Sequence, residues 1–387
     1  MKHIISLFFI CVITFFALSA KADIVSIAET YQKGNLHKAI SLSNHHKYKY
    51  LHLYLKASEF LEKNNKASFE TIAHFLASFP DLPIKEELIV KLESKILSNT
   101  SKNAIIKWFT HNKPKTPNGY ISFYKAATGK IHKQEAMDTI IKNAWIYGEF
   151  AKNEETAFYE KNKSILNQSD HADKISELLR KNNIKAATGL LYLVNKDYKK
   201  AFIAWIAIIQ NKPDLERAFH EVRGSYKYIP GLLYAYLNLH KKAEPTEELV
   251  SLHQKTPKNS VYQKEWWSLK NYLARELIDR KKFALAYKVI TSHANIEKID
   301  LVDAEWLAGW LALEFLNKPE LSKKHFKIVE ENARTCISRA RGSYWLARSY
   351  AKLGDKIGAE LLYKKAAKYG YSFYGMLAAH ELGYKNL

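Results

Sequence analysis

The amino-acid sequence predicts an all-α fold, an α-superhelix or solenoid of antiparallel, tetratricopeptide-like helix hairpins that could close into a ring. Three observations predict it. Apolar residues recur with the period of an α-helix, and the 14 Gly and 9 Pro fall mostly where helices should end. A short turn-and-helix pattern also recurs along the chain. Alternation typical of strands is nearly absent, and a globular all-α bundle is the alternative that these observations leave open.

The start of the chain, residues 1–22, has the features of a cleavable export signal (a signal peptide). A short polar start precedes an apolar run over 4–18, and Ala20 and Ala22 supply the small residues of a cleavage site. The run of roughly fifteen residues is shorter than the ~20 that span a bilayer as a helix. We therefore expect an exported chain that begins near Asp23, with an uncleaved anchor as the alternative.

The mature part, residues 23–387, is predicted to form one α-superhelical domain. Its clearest apolar stripe lies in 303–316, and the stretch 359–367 has the same helical spacing. Gly and Pro divide the chain into roughly 18–20 helices of about 10–18 residues. The stretch 110–119 (THNKPKTPNG) has the strongest loop character, and we interpret it as a break within the superhelix. The stripe consists of Ala304, Leu307, Ala308, Leu311, Ala312 and Phe315.

The recurring pattern is a polar turn residue followed four positions later by Ala. An Ala at that place would let the second helix of a hairpin pack closely against the first. The pattern therefore predicts hairpins stacked in series. Its occurrences are Asn35 with Ala39, Asp197 with Ala201, Lys282 with Ala286, and Asp355 with Ala359.

The composition is strongly basic, with a formal net charge of +21. Such an excess favours anionic partners, and an exported chain is an improbable partner for nucleic acid. A polymer that carries carboxylates or an anionic lipid surface fits better. Compositional bias is the alternative, because the Lys residues are scattered and do not form one tract.

The sequence offers no candidate catalytic, cofactor-binding or metal-binding residue. His220-Glu221 lacks the second His of a zinc-binding H-E-x-x-H helix, and His171 with Asp173 fits the capping of a helix start better than ligation. Cys336, the only Cys beyond the signal, is expected to pack as a small apolar residue. Four acidic pairs are interpreted as first-turn or solvent-facing residues of helices. They are Glu86-Glu87, Glu154-Glu155, Glu247-Glu248 and Glu330-Glu331.

Aromatic residues are plentiful, with 8 Trp and 24 Tyr. Because aromatic faces stack on sugar rings, these residues could form a saccharide-binding surface. Packing in the core is the alternative, and it is favoured for Trp306, Trp310 and Trp345, which lie on or beside strongly apolar faces.

The C-terminal third contains motifs of a known family. Their order and spacing resemble the end of the superhelical, non-catalytic domain of soluble lytic murein transglycosylases. The resemblance is strong over about 262–384, and 23–261 is only compatible with it. The motifs are EWWSLKNYLARELIDRKKFALAYKVITSH (265–293), AEWLAGWLALEFL (304–316), His325-Phe326, RARGSYWLARSY (339–350) and SFYGMLAAHELG (372–383).

The resemblance implies a periplasmic protein of peptidoglycan turnover. In this family a lysozyme-like domain follows the last motif, and one Glu there acts as general acid and then base to cleave the glycan without water. The present sequence ends at Leu387, so we expect that C-terminal catalytic domain to be absent. The only Glu-Ser pair, Glu93-Ser94, lacks the family's surrounding pattern, and no catalytic residue is carried over.

The leading hypothesis is therefore a periplasmic scaffold for cell-wall turnover that binds peptidoglycan through its stem peptides and glycan strands. A separately encoded catalytic domain is a second expected partner. No cofactor, no nucleic acid and no stable membrane span after cleavage are expected. The alternative is a generic periplasmic adaptor that binds proteins through its helical repeats.

Overall fold

The computed structural model describes residues 21–257, 262–293 and 298–384. All regular structure in these residues is helical: 22 α-helices, three short 3-10 turns and one π-helical turn. The predicted all-α class is confirmed. The expected signal segment lies outside the described residues, apart from its last two positions. No helix within the described ranges is long and apolar enough to cross a membrane.

The chain divides into two compact units, residues 1–174 and 175–387, and the division falls within one helix, α10 (Gln168–Arg180). The helices that precede α10 belong to the first unit. They are α1 (Lys21–Gln32), α2 (Leu36–Leu42), α3 (Lys49–Leu61), α4 (Phe69–Ser78), α5 (Lys85–Glu93), α6 (Lys102–His111), α7 (Pro117–Ala127), α8 (Gln134–Tyr147) and α9 (Lys152–Asn162).

The second unit contains the helices after α10. They are α11 (Ile184–Gly189), α12 (Lys196–Ile209), α13 (Leu215–His220), α14 (Pro230–Leu239), α15 (Glu247–Gln254), α16 (Gln263–Asp279), α17 (Phe283–Ile290), α18 (Lys298–Trp310), α19 (Pro319–Asn332), α20 (Cys336–Lys352), α21 (Lys356–Ala367) and α22 (Phe373–Glu381). The helices outnumber the 18–20 that the sequence predicts. Several are shorter than expected, because hairpins close over single turns such as the six residues of α11.

Within each unit the helices pack mainly on their neighbours in sequence. In the first unit α1 packs on α2, α4 on α5, and α7 on both α6 and α8. In the second unit α16 packs on α17, and α18 to α22 each pack on the next helix in turn. Contacts between successive helices are typical of stacked hairpins, the architecture that the sequence predicts.

In the structure, the turn-and-helix pattern marks the boundary between one helix and the next. Asn35 and Asp355 are N-caps, and their side chains accept hydrogen bonds from the backbone N–H groups of Lys38 and Gly358. The residue before each cap, Gly34 or Gly354, has a positive φ of 80° or 85°, which turns the chain out of the preceding helix. The Ala four positions after each predicted turn residue is buried in all four cases.

The prediction is wrong in detail at Asp197, which lies in the first turn of α12, whereas Asn195 is the N-cap. It also missed one occurrence, in which Asn182 has a φ of 59°, Asn183 caps α11 and Ala187 is buried. Asn tolerates the left-handed conformation better than most residues. The pattern therefore marks the end of one helix and the start of the next. The left-handed residue between them can be Gly or a polar residue.

The predicted stripe in 303–316 is correct up to Ala312 and wrong at Phe315, whose exposed fraction is 40%. Residues Leu311–Phe315 form a π-helical turn, and the Leu316 N–H donates to the Leu311 carbonyl at 3.1 Å. A π-turn has more residues per turn than an α-helix, so it rotates later side chains away from the stripe.

Tryptophan packing follows the prediction. Trp345 is buried in a core cluster with Phe326, Val329 and Tyr344, and Trp306 and Trp310 pack half-buried against it. The prediction for Cys336 is wrong, because this residue begins α20 and is exposed. Its thiol interacts with Tyr371, which is itself 74% exposed, so this contact does not bury it.

Candidate functional site

An open cavity of about 370 Å³ lies in the second unit, among α12, α14 and the end of α10. Its lining combines apolar side chains, several of them buried, with exposed polar side chains. Volumes of this order are usual for sites that bind small ligands. The lining consists of Leu179, Arg180, Asn182, Trp205, Ile208, Ile209, Gly231, Tyr234, Ala235, Asn238, Leu239 and Tyr262.

The base of the cavity depends on a glycine. Pro230 opens α14 at its first position, where a missing N–H is tolerated, and Gly231 follows. The buried Trp205 indole lies directly against Gly231, and a Cβ at residue 231 would overlap its ring. The glycine therefore allows the outer end of the Trp205 indole, on α12, to approach the backbone of α14 closely.

Three further aromatic rings adjoin the cavity. Tyr234 stacks on Tyr262 with ring centroids 5.1 Å apart, and Trp266 meets Tyr234 edge-on at 5.8 Å. Tyr262 and Trp266 are buried, whereas Tyr234 is half-buried. Burial raises the pKa of the Tyr262 hydroxyl to about 12 and also raises that of Tyr234, so both hydroxyls stay protonated. Tyr234 is the most accessible aromatic ring in the lining.

A guanidinium with fixed orientation stands at the edge of the cavity. Arg180 donates from Nε and Nη2 to the two carboxylate oxygens of Glu177, at 2.8 and 2.6 Å. These hydrogen bonds raise the pKa of Arg180 above its ordinary value. The ammonium of Lys181 lies 3.6 Å from the same carboxylate, and Glu265 also acts on Arg180 electrostatically. The positive charges of Arg180 and Lys181 are therefore offset by the negative charges of Glu177 and Glu265 at this edge of the cavity.

A separate buried polar cluster links α17, α18 and α19. Glu305, only 5% exposed, lies between two imidazoles: Oε1 is 2.8 Å from His293 Nε2 and Oε2 is 2.6 Å from His325 Nδ1. The Tyr287 hydroxyl lies 2.8 Å from the remaining nitrogen of His325. We call these four residues the Glu305 cluster.

Burial by itself would raise the pKa of the Glu305 carboxyl, but hydrogen bonds and charge from His293 and His325 outweigh it and lower the pKa to about 2. The carboxylate is therefore ionised and only accepts hydrogen bonds, so both imidazoles donate to it. In its neutral form His325 then accepts a hydrogen bond from the Tyr287 hydroxyl at Nε2. The cluster is internally satisfied, which is the usual condition for a buried polar group.

Two buried basic side chains lie in the same unit. Lys270 donates from Nζ to the Ser292 carbonyl at 2.6 Å, and burial lowers its pKa to about 8. Burial, with a smaller effect of Lys270, lowers the pKa of His253 to about 3. The space beside His253 is only about 10 Å³, roughly enough for one water molecule. This space beside His253 is too small for a substrate.

The Glu-Ser pair found in the sequence has a structural role. Glu93 ends α5, and its fully buried carboxylate accepts hydrogen bonds from the N–H groups of Lys115 and Thr116 at 2.8 and 2.6 Å and from the Thr116 hydroxyl at 2.5 Å. A Cβ at Gly119 would overlap this carboxylate. Burial raises the pKa of Glu93, and the hydrogen bonds partly oppose that effect. The carboxylate ties the loop before α7 to α5.

The capping role predicted for His171 and Asp173 is wrong. Helix α10 begins at Gln168, and Asn167 accepts from the N–H groups of Ser169 and Asp170. His171 is instead buried, one turn into the helix, where burial lowers its pKa. Three of the four acidic pairs do lie in first turns, as predicted: Glu86-Glu87, Glu154-Glu155 and Glu247-Glu248.

The sequence identified neither the cavity nor the Glu305 cluster. The cavity is lined by residues from 179 to 262, and the cluster joins residues from 287 to 325. One usable signal was the Asn182-Asn183 pair, a hairpin turn of the recurring kind that borders the cavity. A second was the polar pair Glu305 and His325 within otherwise apolar helix motifs.

The described residues define a class of protein: an all-α chain of stacked helical hairpins with an open, aromatic-lined cavity. Among them, no group of three or more His, Cys, Asp or Glu side chains is placed to hold a metal ion.

No protein-family model and no curated protein matches the chain. Solved structures with a similar chain include the following two. One is the 70 kDa soluble lytic transglycosylase in complex with bulgecin A, at 14% identity and a TM-score of 0.39, covering 94% of this chain and 58% of that one. The other is the 70 kDa soluble lytic transglycosylase of Escherichia coli, at 13% identity and a TM-score of 0.40, covering 94% and 57%. The present chain thus spans less than two thirds of the length of either.

Proposed function

We propose that this chain is an exported scaffold of the cell envelope that binds peptidoglycan. The observation that carries the proposal is the formal net charge of +21, borne largely by exposed lysines. Peptidoglycan is an insoluble polymer whose stem peptides carry carboxylates, so it offers many weak anionic contacts. The motifs in 262–384 and the aromatic cavity in the second unit support the same choice of ligand.

Helix α12 illustrates how the charge is presented. Lys196, Lys199 and Lys200 are exposed in its first turns, while Phe202 and Trp205 of the same helix are buried. The helix is therefore held by its apolar face and offers ammonium groups to solvent. Exposed charges at this density attract a polyanion at low salt and are screened at high salt.

Co-sedimentation of residues 23–387 with insoluble peptidoglycan, at increasing salt, tests the proposal. We expect binding at low salt that weakens steadily as salt is added. Insoluble cellulose, a glycan without carboxylates, is the control polymer and should retain less protein. Absent or salt-insensitive binding to peptidoglycan would rule the proposal out.

A charge-reversed variant of α12 locates part of the contact. Replacing Lys196, Lys199 and Lys200 by Glu should reduce the fraction sedimented at low salt, because three attractive contacts become repulsive. The matched variant with Arg at the same three positions keeps the charge and should sediment like the wild type. Equal sedimentation of the two variants would remove α12 from the binding surface.

The same incubation tests for catalysis, through the release of anhydro-muropeptides measured by mass spectrometry. We expect none, because Glu93 and Glu305, the two buried glutamates among the described residues, are both enclosed by hydrogen-bond donors of the chain itself. Release of these products would establish a catalytic acid in the chain. Capture of envelope proteins without muropeptides would instead favour the adaptor hypothesis.

A further inference from the structure

We infer that the cavity formed by α10, α12 and α14 binds an uncharged sugar ring, an N-acetylated hexosamine of a glycan strand. The inference rests on the proposed function for the choice of glycan, and it adds the place and the chemistry of the contact. Lysines on the surface would bind carboxylates, whereas the cavity would bind the sugar itself.

The cavity has the two kinds of surface that a pyranose ring requires. Leu179 and Ile208 line its apolar base, and Asn182 and Asn238 are exposed at its edge. A sugar ring likewise has apolar C–H faces and a rim of polar substituents. Each Asn amide offers donors and an acceptor, the groups that pair with hydroxyl and acetamido substituents.

Tyr234 provides the surface on which a ring can stack. It is the least buried aromatic residue of the lining, and its ring is held from one side by Tyr262 and edge-on by Trp266. Such a ring is already ordered before the ligand arrives, so little side-chain entropy is lost on binding. Its hydroxyl is protonated at neutral pH, as an ordinary tyrosine is, and burial raises its pKa further.

The charge balance at the edge gives an anionic ligand no advantage over a neutral one. Arg180 and Lys181 are countered by Glu177, and Glu265 acts on Arg180 as well. A carboxylate entering here would gain from the cations and lose to the two resident carboxylates. A guanidinium carries five N–H groups, of which Glu177 accepts two, so Arg180 can still donate to neutral hydroxyl or carbonyl oxygens.

The test uses two disaccharides that differ mainly in one group. N,N'-diacetylchitobiose is neutral, whereas N-acetylglucosaminyl-N-acetylmuramic acid has a carboxylate on an otherwise similar skeleton. We expect residues 23–387 to bind both with affinities within about threefold of each other, because charge contributes little. The affinity for chitobiose, measured by calorimetry or NMR titration, should be insensitive to salt.

Variants identify the site. Tyr234→Ala removes the stacking surface and should weaken chitobiose binding about tenfold. Asn238→Trp, at an exposed lining position, should block the cavity without disturbing the core. The matched control is Tyr192→Ala, which removes an exposed tyrosine of the same unit outside the lining. Circular dichroism and thermal unfolding establish that each variant is folded.

The outcomes are separable from those of the proposed function. Salt-insensitive chitobiose binding that is lost in Tyr234→Ala and Asn238→Trp and kept in Tyr192→Ala supports the inference. If neither disaccharide binds, or if the lining variants bind like the wild type, the inference is overturned even when sedimentation with peptidoglycan persists. Strong preference for the muramic acid compound would overturn the neutral character of the site.

Discussion

Two buried glutamates, one in each unit, have opposite pKa shifts. Glu93 and Glu305 are both almost inaccessible to solvent, and burial favours the protonated form of each. Hydrogen bonds from Lys115 and Thr116 do not fully offset burial at Glu93, whose pKa is raised. At Glu305 the hydrogen bonds and charges of two imidazoles outweigh the effect of burial, and the pKa of the carboxyl falls to about 2.

Burial alone does not identify a catalytic acid. Glu93 has the raised pKa that a general acid needs, and it is the Glu of a Glu-Ser pair, yet its oxygens are engaged by the loop before α7. Glu305 has no such sequence signal and joins three helices. In both cases the carboxylate has a structural role.

The largest expected effect is at Glu305. Glu305→Ala would leave two largely buried imidazole N–H groups without their acceptor, so we expect the free energy of unfolding to fall by about 3 kcal/mol. Urea unfolding followed by circular dichroism measures it. Glu331→Ala, at an exposed position of α19, is the control and should change stability by less than about 0.5 kcal/mol. Equal losses in the two variants would refute the structural role of the cluster.

A smaller loss is expected at Glu93. Glu93→Ala removes the acceptor of two backbone N–H groups and one hydroxyl near the start of α7, and we expect a loss of about 2 kcal/mol. Water can reach part of the loop once the side chain is shortened, so the loss should stay below that of Glu305→Ala. Hydrogen exchange of the Lys115 and Thr116 amides should accelerate in the variant. Unchanged exchange rates for these two amides would contradict a stabilising role of their hydrogen bonds to Glu93.

The two residues should also respond oppositely to pH. The Glu305 pKa lies below the ordinary value of about 4.3, so its stabilisation is complete above that pH and is lost as the pH falls toward 2. The raised pKa of Glu93 means that its stabilisation is complete below about 4.3 and is lost as the pH rises through its folded-state value. Each slope is at most about 1.4 kcal/mol per pH unit.

Unfolding of Glu305→Gln and Glu93→Gln between pH 7 and about pH 3 measures these slopes. The deficit of Glu305→Gln relative to the wild type should shrink on acidification, whereas that of Glu93→Gln should grow. Parallel curves for the two variants would show that their surroundings do not differ as described.

The smallest effect is expected at the outer member of the Glu305 cluster. Tyr287→Phe removes the hydroxyl that hydrogen-bonds to His325 and retains the ring, so a loss of about 1 kcal/mol is expected. The nitrogen NMR shifts of His325 should change in this variant, and those of His293 should not. Tyr192→Phe, at an exposed position, is the control for both measurements.

The sequence predicted what depends on local chemistry. Helical periodicity gave the all-α class, and the turn pattern located helix starts at Asn35, Lys282 and Asp355, because caps and left-handed turn residues act within a few positions of the chain. Phe315 escaped the prediction, since a π-turn changes the helical period without a distinctive residue type.

The site could not be predicted in the same way. Trp205 and Gly231 meet only because α12 packs on α14, and Glu305 meets His325 only because α18 packs on α19. Such pairs depend on which helices pack together, and the spacing of residues along one helix does not contain that information. A single sequence therefore indicated the kind of residues available and not their arrangement.

The exposed thiol of Cys336 has a practical consequence for every binding measurement on this chain. An unpaired cysteine at the surface can form a disulfide with a second copy under oxidising conditions. A covalent dimer would place two binding surfaces on one particle, and on an insoluble polymer the second contact becomes intramolecular, which increases apparent affinity without any new interaction. Sedimentation should therefore be performed with a reducing agent or with Cys336→Ser, so that measured affinities describe one copy of the chain.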